Sequence, residues 1–76
     1  MHEQHIETPA ELGQLVRTRR KTLGITQGEL AGLSGVGVRF IVELEHGKPT
    51  LELGKVLRVL NRLGAHVHVR HADESV

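Results

Sequence analysis

The sequence predicts a mainly α fold of four to five short helices, closed by one short C-terminal β-strand. Three observations predict it. Thr8 and Thr26 each stand three residues before a glutamate, the capping-box spacing that opens a helix. Apolar residues then recur at helical spacing and stop at Gly24, Gly47 and Gly64. Residues 65–70 instead alternate with period two, the strand signal.

The elements follow in order. Thr8-Pro9-Ala10-Glu11 is a capping box with proline at the first helical position, so the first helix starts near Pro9. Leu12, Leu15, Val16 and Leu23 form its apolar stripe. Arg20 lies beside that stripe and is less free than Arg17 or Lys21. Thr26-Gln27-Gly28-Glu29 opens a second, shorter helix through Leu33. Ser34-Gly35-Val36 reads as a tight turn. A third helix is expected from about Gly37 to His46, with Ile41 and Leu44 inward. Lys48-Pro49-Thr50 is a loop and cap. In the fourth helix Leu53, Val56, Leu57, Leu60 and Leu63 recur at helical spacing. Leu51 and Val59 widen its apolar surface and imply packing on two sides. The last piece sets Val67 and Val69 on one strand face and His66 and His68 on the other. A lone strand leaves its ladder groups unpaired. Its partner is either the Glu3–Glu7 segment or a second copy of the chain, and the second copy is favoured.

Composition sets the outer bounds. The chain has 76 residues, no cysteine and one aromatic, Phe40. One small aliphatic core is expected, with no disulfide or thiolate metal site. No run of apolar residues is long enough to span a membrane, and the start does not read as a signal peptide. A soluble, cytoplasmic domain is the expectation. The net charge of +1 argues by itself against a strongly basic nucleic-acid binder. Its distribution argues otherwise. Arg17, Arg19, Arg20 and Lys21 make one block of +4, and residues 48–70 make another. Such blocks build a basic face on a nearly neutral protein, or are plain solvated helix faces.

The stretch from Thr26 to Leu44 carries the functional signal. Gln27, Ala31 and Gly35 recur at spacings of four, and Leu30, Val36, Ile41 and Leu44 supply buried positions. Ala31 lets two helices cross closely, and Gly35 takes the left-handed turn that sets their angle. This is a helix-turn-helix arrangement, whose second helix fits the DNA major groove.

The run Thr26-Gln27-Gly28-Glu29-Leu30-Ala31, with Gly35-Val36, Ile41 and Leu44-Glu45-His46-Gly47-Lys48, resembles the XRE/Cro family of phage-repressor-type DNA-binding domains. With the Leu-Gly-Ala-His-Val-His-Val-Arg stretch added, it is most similar to HipB-type antitoxins. The resemblance implies a lambda-repressor-like domain over 9–64, an N-terminal arm over 1–8, a dimerisation strand over 65–71 and a flexible tail over 72–76. It implies a repressor that binds a palindromic operator as a homodimer, controls its own operon and neutralises a HipA-type serine/threonine kinase toxin. Two alternatives are an interaction protein whose main task is that neutralisation, and a stand-alone XRE-type regulator. Thr26, Gln27 and Lys48 match DNA-backbone contacts. Gly37, Val38, Arg39 and Glu43 match the groove-facing positions of the recognition helix. There Arg39 suits guanine, Val38 a thymine methyl and Glu43 a cytosine amine. Arg20 and Glu45 match a structural ion pair. Val67, Val69, Leu51 and Val59 are the expected dimer contacts.

Gly37 stands where the family usually has Ser or Thr. Phe40 stands where small polar residues are common, and core is its favoured place. Arg17, Arg19 and Lys21 either reach flanking phosphates or only solubilise the first helix. His66, His68 and His71 are solvated side chains or, less simply, a metal site. No arrangement of nucleophile and base has a scaffold, so no enzyme and no cofactor are expected.

Overall fold

In a computed structural model, residues 3–72 are described. They contain four helices: α1 (Pro9–Thr22), α2 (Gln27–Ser34), α3 (Val38–Glu45) and α4 (Leu53–Arg62). The expected tail beyond residue 72 lies outside the described residues.

The first two helices begin where the capping boxes place them. Thr8 Oγ1 accepts from Glu11 N at 3.1 Å, and Glu11 Oε1 accepts from Thr8 N at 3.0 Å. Thr26 and Glu29 repeat the exchange at 3.0 and 2.8 Å. Arg19, Arg20 and Lys21 fall in the last turn of α1, where cations suit the helix dipole. The later helices lack such devices. Gly37 caps α3 with no side-chain bond. Thr50 is not the cap of α4: Glu52 holds that position, also without a side-chain bond. Both depend on packing for their place.

Val16, Leu30, Ala31, Ile41, Leu44, Val56, Val59, Leu60 and Leu63 form the core. The third helix packs against both α1 and α2, and α4 closes over α2. Leu12, Leu15, Val36, Phe40 and Leu51 line the edge of this core. Phe40 is half-buried there, with Lys55 Nζ 5.9 Å from its ring centre. Gly35 takes φ of +70° between α2 and α3. Gly47, at φ +81°, has the tail of α3 against α1, and a Cβ there would lie 2.7 Å from Ala10 Cα.

Three expectations about the dimer face need correcting. Val59 is 0% exposed within the single chain, so it has no surface to offer a second copy. The buried stripe of α4 is Val56, Val59, Leu60 and Leu63, which is one face, not two. Leu53 and Leu57 are exposed instead. The C-terminal strand is also absent: among the described residues there is no strand, and residues 65–72 have no regular structure. The Glu3–Glu7 segment makes no ladder with them. It reaches them through an exposed ion pair, Arg70 to Glu3 at 3.6 Å. One chain offers no edge for the ladder N–H and C=O groups, so alternation alone does not make a strand.

Ser34 is 4% exposed and its Oγ has no hydrogen-bond partner. An unpaired buried hydroxyl costs more than it contributes. Ser34→Ala is therefore expected to raise stability by about 1 kcal/mol, a melting shift of roughly 4–8 °C for a domain of this size. A thermal melt followed by far-UV circular dichroism checks it, and a lower melting point would show that the hydroxyl is bonded.

Candidate nucleic-acid interface

Helix α3 is held by one side and open on the other. Ile41 and Leu44 point into the core. Val38 and Arg39 open the helix on its exposed side, Val42 and Glu43 follow one turn later, and His46 lies past its end. At i, i+3 and i+4 spacing these make one continuous outward stripe. The Arg39 side chain is 90% exposed, with its Nε 3.4 Å from Glu43 Oε2. Gly37 precedes it and is exposed too. Val42 belongs to this stripe, and sequence reasoning passed over it because an apolar residue in that helix reads first as core.

The inner side of α3 is fixed by charge as well as by packing. Arg20 Nε lies 2.6 Å from Glu45 Oε2, and Arg20 Nη2 donates to Glu45 Oε1 at 3.1 Å. Arg20 Nη1 donates to the Ile25 carbonyl at 3.0 Å. Gln27 Nε2 donates to Glu45 Oε1 at 3.0 Å. Through Glu45, then, α1 and the start of α2 meet the end of α3, and Arg20 ties the α1–α2 loop to the same place. The Arg20 and Glu45 side chains are only 10% and 4% exposed, so the bidentate pair is screened little by solvent. Burial pushes the Glu45 carboxyl up, but the hydrogen bonds from Arg20 and Gln27 and the charges of Arg20 and Arg17 outweigh it. The carboxyl sits below its ordinary 4.5. The bond to Glu45 chiefly raises the Arg20 guanidinium above its own ordinary value, against burial.

The remaining site residues divide. Thr26 is the exposed N-cap of α2, its hydroxyl oxygen occupied by Glu29 N. Gln27 is half-buried, and its amide nitrogen is committed to Glu45. Lys48 follows α3, its backbone N donating to Glu43 O at 3.0 Å and its Nζ lying 3.3 Å from Glu43 Oε2. Arg17 is exposed on α1. Arg19, a possible phosphate contact on sequence grounds, donates from Nε to the Leu63 carbonyl at 2.8 Å. It pins α1 to the end of α4. Only its place in the last turn hinted at that, since cations there can satisfy carbonyls. Val67 and Val69 are exposed, and Leu51 is half-buried.

Outside this face the surface offers less chemistry. His66, His68 and His71 are exposed in the irregular C-terminal stretch. Among the described residues no group of three or more His, Asp or Glu converges to hold a metal ion. No helix among them is long and apolar enough to cross a membrane.

Comparison with known proteins agrees with this geometry. A family model described as "Helix-turn-helix domain" matches residues 11–72. An uncharacterized HTH-type transcriptional regulator, y4mF of Sinorhizobium fredii, is 56% identical over 64 residues, covering 84% of each chain. Among solved structures, the chain is similar to a HipB–O4 20mer complex, with 25% identity and a TM-score of 0.82 over 93% of this chain and 100% of that one. It also shares the fold of a HipA–HipB–O2–O3 complex, with 24% identity and a TM-score of 0.83 over 93% of this chain and 100% of that one.

Proposed function

The chain belongs to the XRE-type helix-turn-helix family, and from that premise we propose that it is a sequence-specific transcriptional repressor that works by binding, without catalysis. The observation that carries this reading is the outward stripe of α3. It presents Arg39, 90% exposed, at its start while Glu45, Arg20 and Gln27 hold its inner side. In this reading Val38 and Arg39 enter the major groove, with Gly37 allowing close approach of the backbone. Thr26, Gln27, Lys48 and Arg17 set the register on phosphates. Gln27 takes part through its backbone N–H at the start of α2, where free amides suit an anion.

The working unit is a homodimer. Leu53, Leu57, Val67 and Val69 are exposed apolar residues that a 76-residue chain gains by covering. Residues 65–71 become a strand only when a second copy supplies the ladder, with Val67 and Val69 on its inner face and Leu51 at its margin. The organisation is then an arm over 1–8, a DNA-binding domain over 9–64 and a dimerisation segment over 65–71. The likeness to HipB supports a HipA-type serine/threonine kinase toxin as the protein partner, with the repressor acting as antitoxin on its own operon in the bacterial cytoplasm.

Selection of bound duplexes from a random pool tests the reading. The selected sites are expected to be inverted repeats with half-sites about one helical turn apart. Selection of an unsymmetrical single site would overturn the dimer. On the selected operator, Arg39→Ala is expected to cost roughly 1–3 kcal/mol and to relax preference at one base pair of each half-site. Unchanged discrimination in a gel-shift series would remove Arg39 from base reading.

A further inference from the structure

Two cations meet one carboxylate oxygen on the outward stripe of α3. Arg39 Nε lies 3.4 Å and Lys48 Nζ 3.3 Å from Glu43 Oε2. Helix stability does not account for this arrangement. Arg39 sits in the first turn of α3, beside the positive end of the helix dipole, and Glu43 in the last turn, beside the negative end. Each charge stands at the end that disfavours it. A cation four residues before its anion is also the weaker of the two orders. With Arg39 90% exposed, the pair gains little from burial.

The geometry suits recognition better. Engaging Nε leaves the Nη1 and Nη2 donors of Arg39 as a free fork, the pair that matches guanine O6 and N7. A tethered arginine has also lost part of its rotamer freedom before DNA arrives, which lowers the entropic cost of binding. The same carboxylate repels every phosphate alike and occupies Lys48, so it opposes contact with any duplex, and only one that offers Arg39 a guanine offsets that penalty.

We propose that Glu43 is a positioning residue: it holds Arg39 by Nε for base reading and withholds Arg39 and Lys48 from the phosphates of non-operator DNA. The proposal rests on the DNA-binding reading above and gives Glu43 a role other than accepting from a cytosine amine.

Glu43→Gln keeps the size and removes the charge. Wild type and variant are titrated over a range of salt against the selected operator and a scrambled duplex of equal composition. Affinity of the variant for the scrambled duplex is expected to rise about threefold to tenfold, the effect of freeing two exposed pairs. The salt dependence should steepen by about 0.9 in log–log slope, one added phosphate contact. The ratio of operator to scrambled affinity should fall. Arg39→Ala should cost less of that ratio in the Glu43→Gln background than alone, the coupling a double-mutant cycle reads. The variant should melt no lower than wild type, and a melting point several degrees lower would show that the pair is there for stability. Unchanged scrambled affinity and slope would overturn the proposal. So would a loss confined to one C·G pair, which would make Glu43 a direct reader. Failure of the wild type to bind any duplex would instead overturn the DNA-binding reading itself.

Discussion

Gly13→Ala is expected to cost the domain about 3 kcal/mol or more, a large fraction of the stability of a domain this small. Intrinsic propensity says the reverse, because alanine in a helix interior is favoured over glycine by about 1 kcal/mol. Packing decides the sign. Gly13 is buried in α1, where the end of α3 crosses it backbone to backbone. A Cβ there would strike Leu44 O and lie 2.8 Å from Glu45 O and 2.9 Å from Glu45 C. None of these is the far end of a flexible side chain. Relief requires α3 to move, and α3 is tied through Glu45 to Arg20 and Gln27. Urea unfolding of the variant beside wild type checks the expectation. A loss under about 1 kcal/mol would show that α3 can give way at its C-terminal end.

Removing either partner of the Arg20–Glu45 pair should be nearly as damaging. Glu45→Ala leaves the Arg20 guanidinium buried without its carboxylate and takes the acceptor from Gln27 Nε2. Breaking a buried pair on one side typically costs about 3–5 kcal/mol, mostly as the penalty of the stranded charge. Urea unfolding at neutral pH measures it, and a cost below about 1 kcal/mol would show that water already reaches the pair. The pH dependence follows from the lowered Glu45 pKa. In the unfolded chain Glu45 titrates near its ordinary 4.5, and in the folded chain lower. The unfolded state therefore binds the proton first as pH falls. The pair's contribution is complete above the ordinary value and is lost as pH drops below it through the folded value. Unfolding free energies from pH 7 down to 3 are expected to show this loss in wild type. A shallower dependence is expected in Glu45→Gln, which has no proton to take up at that position.

Much of this is legible in the sequence. Both capping boxes act locally, within four residues, and both formed as the spacing indicated. The turn at Gly35 is local too, since φ of +70° favours glycine whatever surrounds it. The Arg20–Glu45 pair, 25 residues apart, came from family resemblance and not from any local signal. The block of four cations in α1 shows the limit: Arg20 pairs with α3, Arg19 caps α4, and Arg17 stays exposed. Residue type does not separate them, because their fates depend on which element each side chain meets.

By itself, then, the sequence determined the helices with capping boxes, the left-handed turn and the helix-turn-helix spacing, all set by forces acting within one or two turns. Only the tertiary structure decided the rest. It left Gly13 no room for a side chain, drew Val59 inward while leaving Leu53 and Leu57 outside, and left the alternating C-terminal residues without a strand. Those outcomes depend on partners distant in the chain or, for a strand, on an edge that one chain does not contain. The physical reason is common to all of them: local energies select elements, whereas burial, close approach and ladder pairing exist only once the elements have met.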